Sequence, residues 1–269
     1  MFALPVSLRI DQIIVENPFV KTFVFQHHLG AQPGQFVNVW IPRVNEKPMS
    51  VAYCDENEFW LSIFAVGPFS KKMHEFQVGD LVGIRGPYGK GFSFAPKSHL
   101  ILVGGGYGAA PLYFLASAAV AQGCTVDFIL GARSQEYLLY LDRIQALPGV
   151  KLHIATDDGS VGFHGYNTLV LENLLQHLPE DRSLSTVYTC GPELMMKRVS
   201  DLSFQYGVSA QISLERYMKC GFGVCGQCTV DNTGERMCVE GPVLTNDQAR
   251  KVQEFGVYHR DDLGKKHYF

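Results

Sequence analysis

The chain of 269 residues has no cluster of Lys and Arg residues, and its formal net charge is −3. Binding to the nucleic-acid backbone requires clustered positive charge, so a nucleic-acid partner is not expected. No run of about 18 apolar residues occurs, which argues against a membrane-spanning helix. Residues 1–12 lack the basic start, apolar run and cleavage site of a secretory signal. We therefore expect a cytoplasmic protein that does not bind a membrane.

Cysteine is present in an odd number, seven, which does not suit a disulfide framework. Three of these residues, Cys54, Cys124 and Cys190, are scattered in apolar contexts. The other four are Cys220, Cys225, Cys228 and Cys238, and they fall within one short segment. Such clustering favours metal ligation. The nine His residues show no spacing typical of a metal site or a catalytic triad.

Residues 1–95 consist of short apolar runs such as QFVNVWI and FWLSIFAV, separated by Gly and Pro. This pattern predicts an antiparallel β-barrel or sandwich. A single short helix is expected to interrupt the strands, with Ser70 as its N-cap ahead of KKMHEF.

The pattern changes after residue 95. Over residues 96–210, apolar runs such as LILV, TVDFILGA and TVYTCG alternate with helical stretches, which predicts a doubly wound α/β domain. The last helix of this series is expected to begin at Pro192 and to end near Gly207. Residues 211–269 are loop-like and too poor in apolar periodicity to build a core. We therefore expect an inorganic group to organise them.

The four-cysteine segment is the most specific motif in the chain. Its first three cysteines, in CGFGVCGQC, are separated by four and then two residues. This spacing matches the plant-type ferredoxin loop that binds a [2Fe-2S] cluster through thiolates. The glycines Gly221, Gly223 and Gly226 fit a chain that needs positive φ to wrap an inorganic core. A structural zinc site is the alternative, although it usually has two separate pairs of ligands.

The second motif, VGGGYGAAP, follows a predicted strand and opens a helix. In this position Gly104, Gly106 and Gly108 allow the backbone to approach a pyrophosphate, whereas the alternative is a tight turn without a ligand. Dinucleotide sites usually have an acidic residue after the second strand, but here Arg133 and Ser134 follow it. The choice between NADH and NADPH is therefore open.

Two further features have competing interpretations. Lys47, in KPMSVA, and the helix N-terminus at Ser70 together suit a diphosphate, with the Ser50 region against a planar ring. The alternative is a solvated lysine at the start of a strand. Cys190 is predicted to end a strand at the carboxyl edge of the sheet. It either faces a nicotinamide or is a small buried apolar residue.

Taken in order, KPMS, GPFSKKM, GPYGKGF, VGGGYGAAPL, CGPELM and CGFGVCGQC resemble the ferredoxin-reductase-like flavoprotein superfamily. Within it, SLERYMKCGFGVCGQC, the fourth Cys and EGPVL resemble the electron-transfer subunits of NAD-dependent, two-subunit dihydroorotate dehydrogenases. The resemblance implies an FAD-binding barrel over residues 1–95, an NAD(P)-binding domain over 96–210 and a [2Fe-2S] lobe over 211–269.

The resemblance also implies a set of binding residues and no catalytic side chain. Lys47 takes the place of an arginine that usually contacts the FAD diphosphate, and it supplies the charge without the bidentate fork. The remaining residues expected to bind FAD or the nucleotide are Pro48, Met49, Ser50, Phe64, Ala65, Val66, Gly67, Ser70, Gly104, Gly105, Gly106, Gly108 and Cys190. The expected cluster ligands are Cys220, Cys225, Cys228 and Cys238.

The implied function is electron transfer in pyrimidine biosynthesis. Hydride passes between NAD(P)H and FAD, and single electrons pass through the cluster to or from an FMN-containing dihydroorotate dehydrogenase catalytic subunit. The two subunits are expected to form a heterotetramer. Two alternatives stay open: the same redox module serving a ferredoxin:NADP reductase, sulfide reductase or hydrogenase, and a zinc-stabilised binding module without redox activity.

Overall fold

The structure is a computed structural model that describes residues 4–179 and 184–269. Its N-terminal part contains β1 (Val6–Arg9), β2 (Gln12–Asn17), β3 (Val20–Phe25), β4 (Phe36–Ile41), β5 (Asn45–Ser50), β6 (Tyr53–Cys54), β7 (Phe59–Phe64), α1 (Pro68–His74) and β8 (Leu81–Tyr88). The strands form two four-stranded antiparallel sheets, in the orders β1-β8-β4-β5 and β2-β3-β7-β6. The prediction of an antiparallel β domain is confirmed.

The two N-terminal sheets enclose one core because apolar residues alternate along their strands. In β7, Phe59, Leu61 and Ile63 are buried, while the residues between them are half-buried. They share a core with Val37 and Val39 of β4, in the other sheet.

Helix α1 begins earlier than predicted. Its N-cap is Gly67 and its first residue is Pro68, so the assignment of Ser70 as N-cap was wrong. The fixed φ of proline suits the first helical position, so the helix begins three residues earlier than predicted. The Ser70 hydroxyl instead accepts hydrogen bonds from the backbone N–H groups of Val66 and Gly67, each at 3.0 Å.

The second part of the chain is built on one seven-stranded sheet. Its elements are β9 (His99–Gly105), α2 (Ala109–Ala121), β10 (Thr125–Ala132), α3 (Leu141–Gln145), β11 (Val150–Thr156), β12 (Phe163–His164), α4 (Asn167–Gln176), β13 (Ser185–Cys190), α5 (Glu193–Gln205), β14 (Ser209–Ser213), β15 (Val243–Thr245) and α6 (Asn246–Lys251). The strand order is β12-β11-β10-β9-β13-β14-β15, and only β15 is antiparallel to its neighbour. The predicted doubly wound fold is confirmed, although α5 begins one residue after Pro192.

The two faces of this sheet are covered by different helices. Leu100 and Leu102 of β9 pack in one core with α2, whereas Ile101 and Val103 pack in another with α4 and α5. The order of strands reverses between β9 and β13, and doubly wound folds bind ligands in a crevice at the carboxyl ends of strands at such a point. None of the helices in the described part of the chain is long and apolar enough to cross a membrane.

Residues 214–242, all of which the structure describes, form no helix or strand between β14 and β15. We call them the cysteine segment. Its buried residues, including Met218, Val230 and Met237, join the core formed by α4, α5 and the sheet. The chain ends in a hairpin of β16 (Tyr258–Arg260) and β17 (Lys266–Tyr268).

A buried ion cluster fastens the cysteine segment to the sheet domain. The Arg216 side chain is only 4% exposed and donates through Nη1 to Oε2 of Glu193, at the start of α5, at 2.7 Å. Its Nε donates to Glu254, whose other oxygen accepts from the Asp231 backbone N–H at 3.2 Å. One guanidinium therefore joins three separate parts of the chain.

A second polar cluster joins three neighbouring parallel strands. His99 of β9 and His153 of β11 donate through Nε2 to the two carboxylate oxygens of Asp127 in β10, at 2.8 and 2.6 Å. Burial raises the pKa of Asp127, but the hydrogen bonds from His153 and His99 outweigh it and hold this pKa well below its usual range.

Replacing Asp127 with Asn should lower the free energy of unfolding by about 1–3 kcal/mol at pH 7, because the charged acceptor is lost. A carboxyl with a depressed pKa stabilises the fold above its unfolded pKa, so this difference should shrink below about pH 4. Chemical denaturation across pH measures both effects. The exposed Asp262→Asn serves as control, and an Asp127→Asn curve that matches wild type at pH 7 would contradict the expectation.

Replacing Arg216 with Met should destabilise the protein by about 3–5 kcal/mol, because two buried carboxylates lose their counter-charge. The matched control is Arg198→Met in α5, whose ion pair with Glu172 lies at the surface and is worth only about 0–1 kcal/mol. Denaturant titration of both variants makes the comparison. Equal losses of stability would show that the Arg216 cluster has no special role.

Candidate functional site

The cysteine segment brings the four predicted cluster ligands together as two pairs. The Cys220 and Cys225 side chains are neighbours, and so are those of Cys228 and Cys238. Cys225 is exposed, Cys220 is half-buried, and the other pair is buried. The arrangement therefore has one pair at the surface and one within the protein.

Backbone N–H groups point at Cys220, in the surface pair. Burial raises the pKa of the Cys220 thiol, but hydrogen bonds from the N–H groups of Cys225, Phe222 and Val224 outweigh it and lower this pKa to about 6. Thiolate is the form that binds iron, so this loop is prepared to hold an anionic sulfur.

The inner pair has a different environment. Burial, together with the neighbouring Cys228 thiol, raises the pKa of Cys238 to about 12. Two backbone groups still point at sulfur: the Gly223 N–H donates to Cys238 at 3.2 Å, and the Cys238 N–H donates to Cys228 at 3.4 Å. The Cys238 thiol is therefore protonated at neutral pH, and iron binding would have to displace this proton.

These features fit a [2Fe-2S] cluster, in which each iron is held by two of the four cysteines. The expected positive φ values are confirmed for Gly221, Gly223 and Gly226, at 84°, 83° and 68°. In residues 4–179 and 184–269, no group of three or more His, Cys, Asp or Glu side chains is placed to hold a metal ion. The preference for a [2Fe-2S] cluster over zinc therefore rests on the spacing of the cysteines.

The residues predicted to contact FAD lie on β5 and after β7. Pro48 and Met49 are half-buried, Ser50 is exposed, and Val66 is 69% exposed. A Cβ added to Gly67 would meet no atom within 4 Å, so the loop before α1 borders open space. The predicted contacts of these residues, and of Phe64 and Ala65 beside them, with FAD stay predictions.

Lys47 lies on β5 and contacts the cysteine segment. Its Nζ donates to the Tyr217 hydroxyl at 2.8 Å and lies 4.3 Å from the centre of the Tyr217 ring. Ser70, the other group predicted to face a diphosphate, is buried and bonded to the backbone of its own loop. Both groups thus make contacts within the protein.

The glycine motif lies at the carboxyl end of β9, and close packing explains several of its glycines. A Cβ on Gly108 would lie 2.2 Å from the carbonyl oxygen of Cys190, and one on Gly105 would lie 2.7 Å from Met195 Sδ. Gly104 is close to the first residue of α2. Gly106 differs, with φ of 54° and no atom within 4 Å of an added Cβ. It is the member of this motif that faces open space.

Sequence reasoning missed a junction next to this motif. The Tyr107 hydroxyl donates to Oε2 of Glu215 at 3.3 Å, and the Tyr107 ring lies 6.0 Å from that of Phe64. The charge of Glu215, followed by burial, raises the pKa of Tyr107. Glu215 keeps contact with solvent, yet desolvation by the surrounding protein raises its pKa too. The glycine motif, the end of β7 and the cysteine segment meet here.

Cys190 lies below this junction at the end of β13 and is 2% exposed. Burial, then the charge of Glu215, raises the pKa of its thiol to about 12, although a hydrogen bond with Ser213 opposes the change. Cys190 is therefore a neutral thiol at the crevice. The nearby Glu in SLERY was the sequence signal that this region contained more than cluster ligands.

The end of β10 also differs from its sequence interpretation. The backbone N–H groups of Asp157 and Asp158 donate to the carbonyls of Ala132 and Arg133, at 3.0 and 3.1 Å. The loop after β11 therefore lies along the end of β10, with the Asp157 carboxylate near Arg133. Burial raises the pKa of Asp157, and the charge of Arg133 opposes this effect. Acidic residues are present at this edge after all, supplied by the neighbouring strand.

Two family models match the chain. One is described as the iron-sulfur cluster binding domain of dihydroorotate dehydrogenase B and matches residues 215–249. The other is described as an oxidoreductase NAD-binding domain and matches residues 102–201. The matched ranges contain the four paired cysteines and the glycine motif.

Among solved structures, that of an NADH-dependent reduced ferredoxin-NADP oxidoreductase is 29% identical, with a TM-score of 0.79, and the match covers 89% of this chain and 88% of that one. A ferredoxin NADP+ reductase from Neisseria gonorrhoeae, with bound FAD and NADP, is 21% identical. Its TM-score is 0.65, the match covers 76% of this chain and 92% of that one, and the likeness shows the fold.

Two curated proteins are similar over nearly their whole length, and both are named probable dihydroorotate dehydrogenase B (NAD(+)), electron transfer subunit. The protein from Methanocaldococcus jannaschii is 45% identical, covering 98% of this chain and 99% of its own. The protein from Methanothermobacter thermautotrophicus is 47% identical, covering 97% of each. The chain therefore belongs to the family of dihydroorotate dehydrogenase B (NAD(+)) electron transfer subunits.

Proposed function

We propose that this chain relays electrons between NADH and the catalytic subunit of a dihydroorotate dehydrogenase. The observation that carries the proposal is the pairing of four thiols in the cysteine segment, between an antiparallel β domain and a nucleotide-binding fold. In this division, residues 1–95 bind FAD, residues 96–210 bind the nucleotide and residues 211–269 hold the [2Fe-2S] cluster.

The three groups have complementary chemistry: nicotinamide exchanges a hydride, an iron-sulfur cluster exchanges single electrons, and a flavin does both. The role of the chain is to bind and orient them. Strand β5, with Lys47 to Ser50, and the loop from Phe64 to Ser70 form the proposed FAD site. Lys47 would exchange its contact with Tyr217 for the FAD diphosphate, or share its three donors between them.

The nucleotide can be oriented from the order of the strands. Gly106 at the end of β9 faces open space and suits the pyrophosphate. Tyr107 lies beside Phe64 of the β domain, and Cys190 ends β13, on the opposite side of β9 from β10, so the nicotinamide belongs on this side. The adenosine then lies over the ends of β10 and β11, beside Arg133, Asp157 and Asp158.

We propose NADH as the preferred nucleotide. Its adenosine ribose has a 2′-hydroxyl, to which a carboxylate can accept a hydrogen bond, whereas the 2′-phosphate of NADPH would be repelled by Asp157 and Asp158. Arg133 alone would attract that phosphate, but the Asp157 carboxylate near it, with Asp158 next in the chain, offsets its charge. The curated relatives carry NAD(+) in their names.

The surface cysteine pair suggests where the partner binds. Cys225 is exposed, and its neighbour Val224 is 69% exposed, while Val239 is 40% exposed. An apolar, solvent-exposed loop over a redox centre suits docking of another protein. We propose that residues 218–238 contact an FMN-containing catalytic subunit within a heterotetramer. A cytoplasmic location is part of the proposal, because reduced thiolates persist in that compartment.

Replacing Cys225 with Ser should remove the cluster and its electron paramagnetic resonance signal, because serine does not supply the thiolate that iron prefers. Reduction of the flavin by NADH should persist, while reduction of an FMN-containing partner should be lost. Cys54→Ser, at a half-buried cysteine of the β domain, is the matched control. A colourless wild-type protein with one zinc and no flavin would refute the redox function.

Replacing both Asp157 and Asp158 with Asn should raise kcat/KM for NADPH relative to NADH by roughly tenfold, equivalent to ~1.4 kcal/mol of removed repulsion. In the wild type, raising the salt concentration should weaken the same discrimination, because exposed charges are screened. Anaerobic flavin reduction with each nucleotide gives the ratio, and Asp262→Asn is the control. A ratio unchanged by the double substitution would exclude these residues as determinants.

A further inference from the structure

Asn38 lies where the β domain meets the cysteine segment. In β4, Val37 and Val39 point into the core of the β domain, while Phe36 packs in the core that contains Met218. Asn38 is on the same side as Phe36 and is completely buried. A polar side chain in such a position requires a reason, because burial of an amide is costly.

The Asn38 carboxamide binds the backbone at the first cluster ligand. Its Nδ2 donates to the carbonyl oxygen of Lys219 at 3.0 Å and to that of Cys220 at 3.3 Å. Arg85, from β8, also donates to the Cys220 carbonyl at 3.4 Å. Arg85 is itself held by two bonds to Glu46, at 2.6 and 2.7 Å. The peptide of Cys220 is thus fixed from the β domain.

The contact between strand and loop is tight. Gly221 has φ of 84°, and a Cβ added to it would lie 2.9 Å from the Tyr88 ring and 3.2 Å from Nδ2 of Asn38. Only glycine fits there, so the cysteine loop lies directly on β4 and β8.

The same asparagine is adjacent to the proposed flavin strand. In the antiparallel register of β4 and β5, Asn38 is opposite Pro48, and Val37 is opposite Met49. One residue of β4 therefore lies between a strand proposed to contact FAD and the peptide of a proposed cluster ligand.

Stability does not explain this choice of residue. Oδ1 of Asn38 is buried and has no hydrogen-bond partner in the part of the chain that the structure describes. An unsatisfied buried acceptor costs about 1–3 kcal/mol, which offsets much of what the Nδ2 bonds contribute. The carboxamide therefore contributes little net stability, and its Nδ2 serves to hold the peptide of Cys220 in place.

We propose that Asn38 is a positioning residue for electron transfer, fixing Cys220 against the β4–β5 pair and so setting the separation of flavin and cluster. The proposal rests on the proposed function, since it requires both groups. Electron tunnelling falls exponentially with distance, so a small shift of the cysteine loop changes the rate. Asn38 does not contact the reacting atoms and acts through the Cys220 peptide.

The test is Asn38→Leu, which keeps the volume and removes the donor. A laser flash reduces the flavin, and the loss of cluster absorbance then measures electron transfer to the cluster. In Asn38→Leu the rate of this loss, per cluster counted by electron paramagnetic resonance, should fall by roughly tenfold or more, because small misplacements of reacting centres are costly. The electron paramagnetic resonance spectrum of the reduced cluster should also change shape. Asn38→Thr, which keeps a hydroxyl donor, should recover part of the rate.

Val39→Ala is the matched control, because Val39 neighbours Asn38 in β4 but points into the core of the β domain. It should lower stability without changing the rate per cluster. An Asn38→Leu protein with wild-type rate and spectrum would overturn the proposal, as would equal slowing in Val39→Ala. If Asn38→Leu does not fold, Asn38→Thr and Asn38→Ala replace it. A wild-type rate in both of these variants would then overturn the proposal.

Failure of the proposed function gives a different result. Wild-type protein whose flavin is not reduced by NADH would refute that function, yet the flash comparison starts from reduced flavin and still decides the role of Asn38. The two failures are therefore distinguishable.

Discussion

The cysteine segment has no helix or strand to position it, so its place depends on contacts with both neighbouring domains. On one side, Asn38 and Lys47 of the β domain bind its backbone and Tyr217. On the other, the Arg216 ion cluster fastens it to α5 and to the C-terminal region. Relay between redox centres requires fixed distances, and in this chain side-chain anchors provide them.

Cys220 and Cys238 lie in contrasting surroundings. Backbone N–H groups at Cys220 favour its thiolate, whereas burial and the neighbouring Cys228 thiol disfavour the thiolate of Cys238. A bound cluster of positive iron reverses the penalty at the inner pair. The cluster would therefore stabilise the segment most at the buried pair, where the protein itself gives thiolates the least support. Cluster binding is thereby coupled to the packing of the segment.

The sequence interpretation of the glycine motif explained only part of its glycines. Sequence reasoning assigned its glycines to a pyrophosphate, but Gly105 and Gly108 are required by the close approach of the loops after β9 and β13. Gly106 is the position left open. The motif therefore allows two strand ends to meet closely, and it leaves the backbone at Gly106 open.

Local patterns determined much of this protein from its sequence. Apolar alternation predicted the β domain and the doubly wound sheet, and the spacing of cysteines and glycines predicted the ligand loop, because each depends on residues close together in the chain. The N-cap of α1 was placed wrongly because Ser70 competes with the Gly-Pro pair just before it.

Only the tertiary structure determined which residues distant in sequence contact each other. The pairing of Asn38 with Cys220, of Tyr107 with Glu215, and of Asp157 with the end of β10 joins positions that no local pattern connects. Sheet register and the path of an irregular segment bring these groups together. A sequence can name the ligands of a redox centre from their spacing, but the distances between centres arise only when separate domains pack against each other.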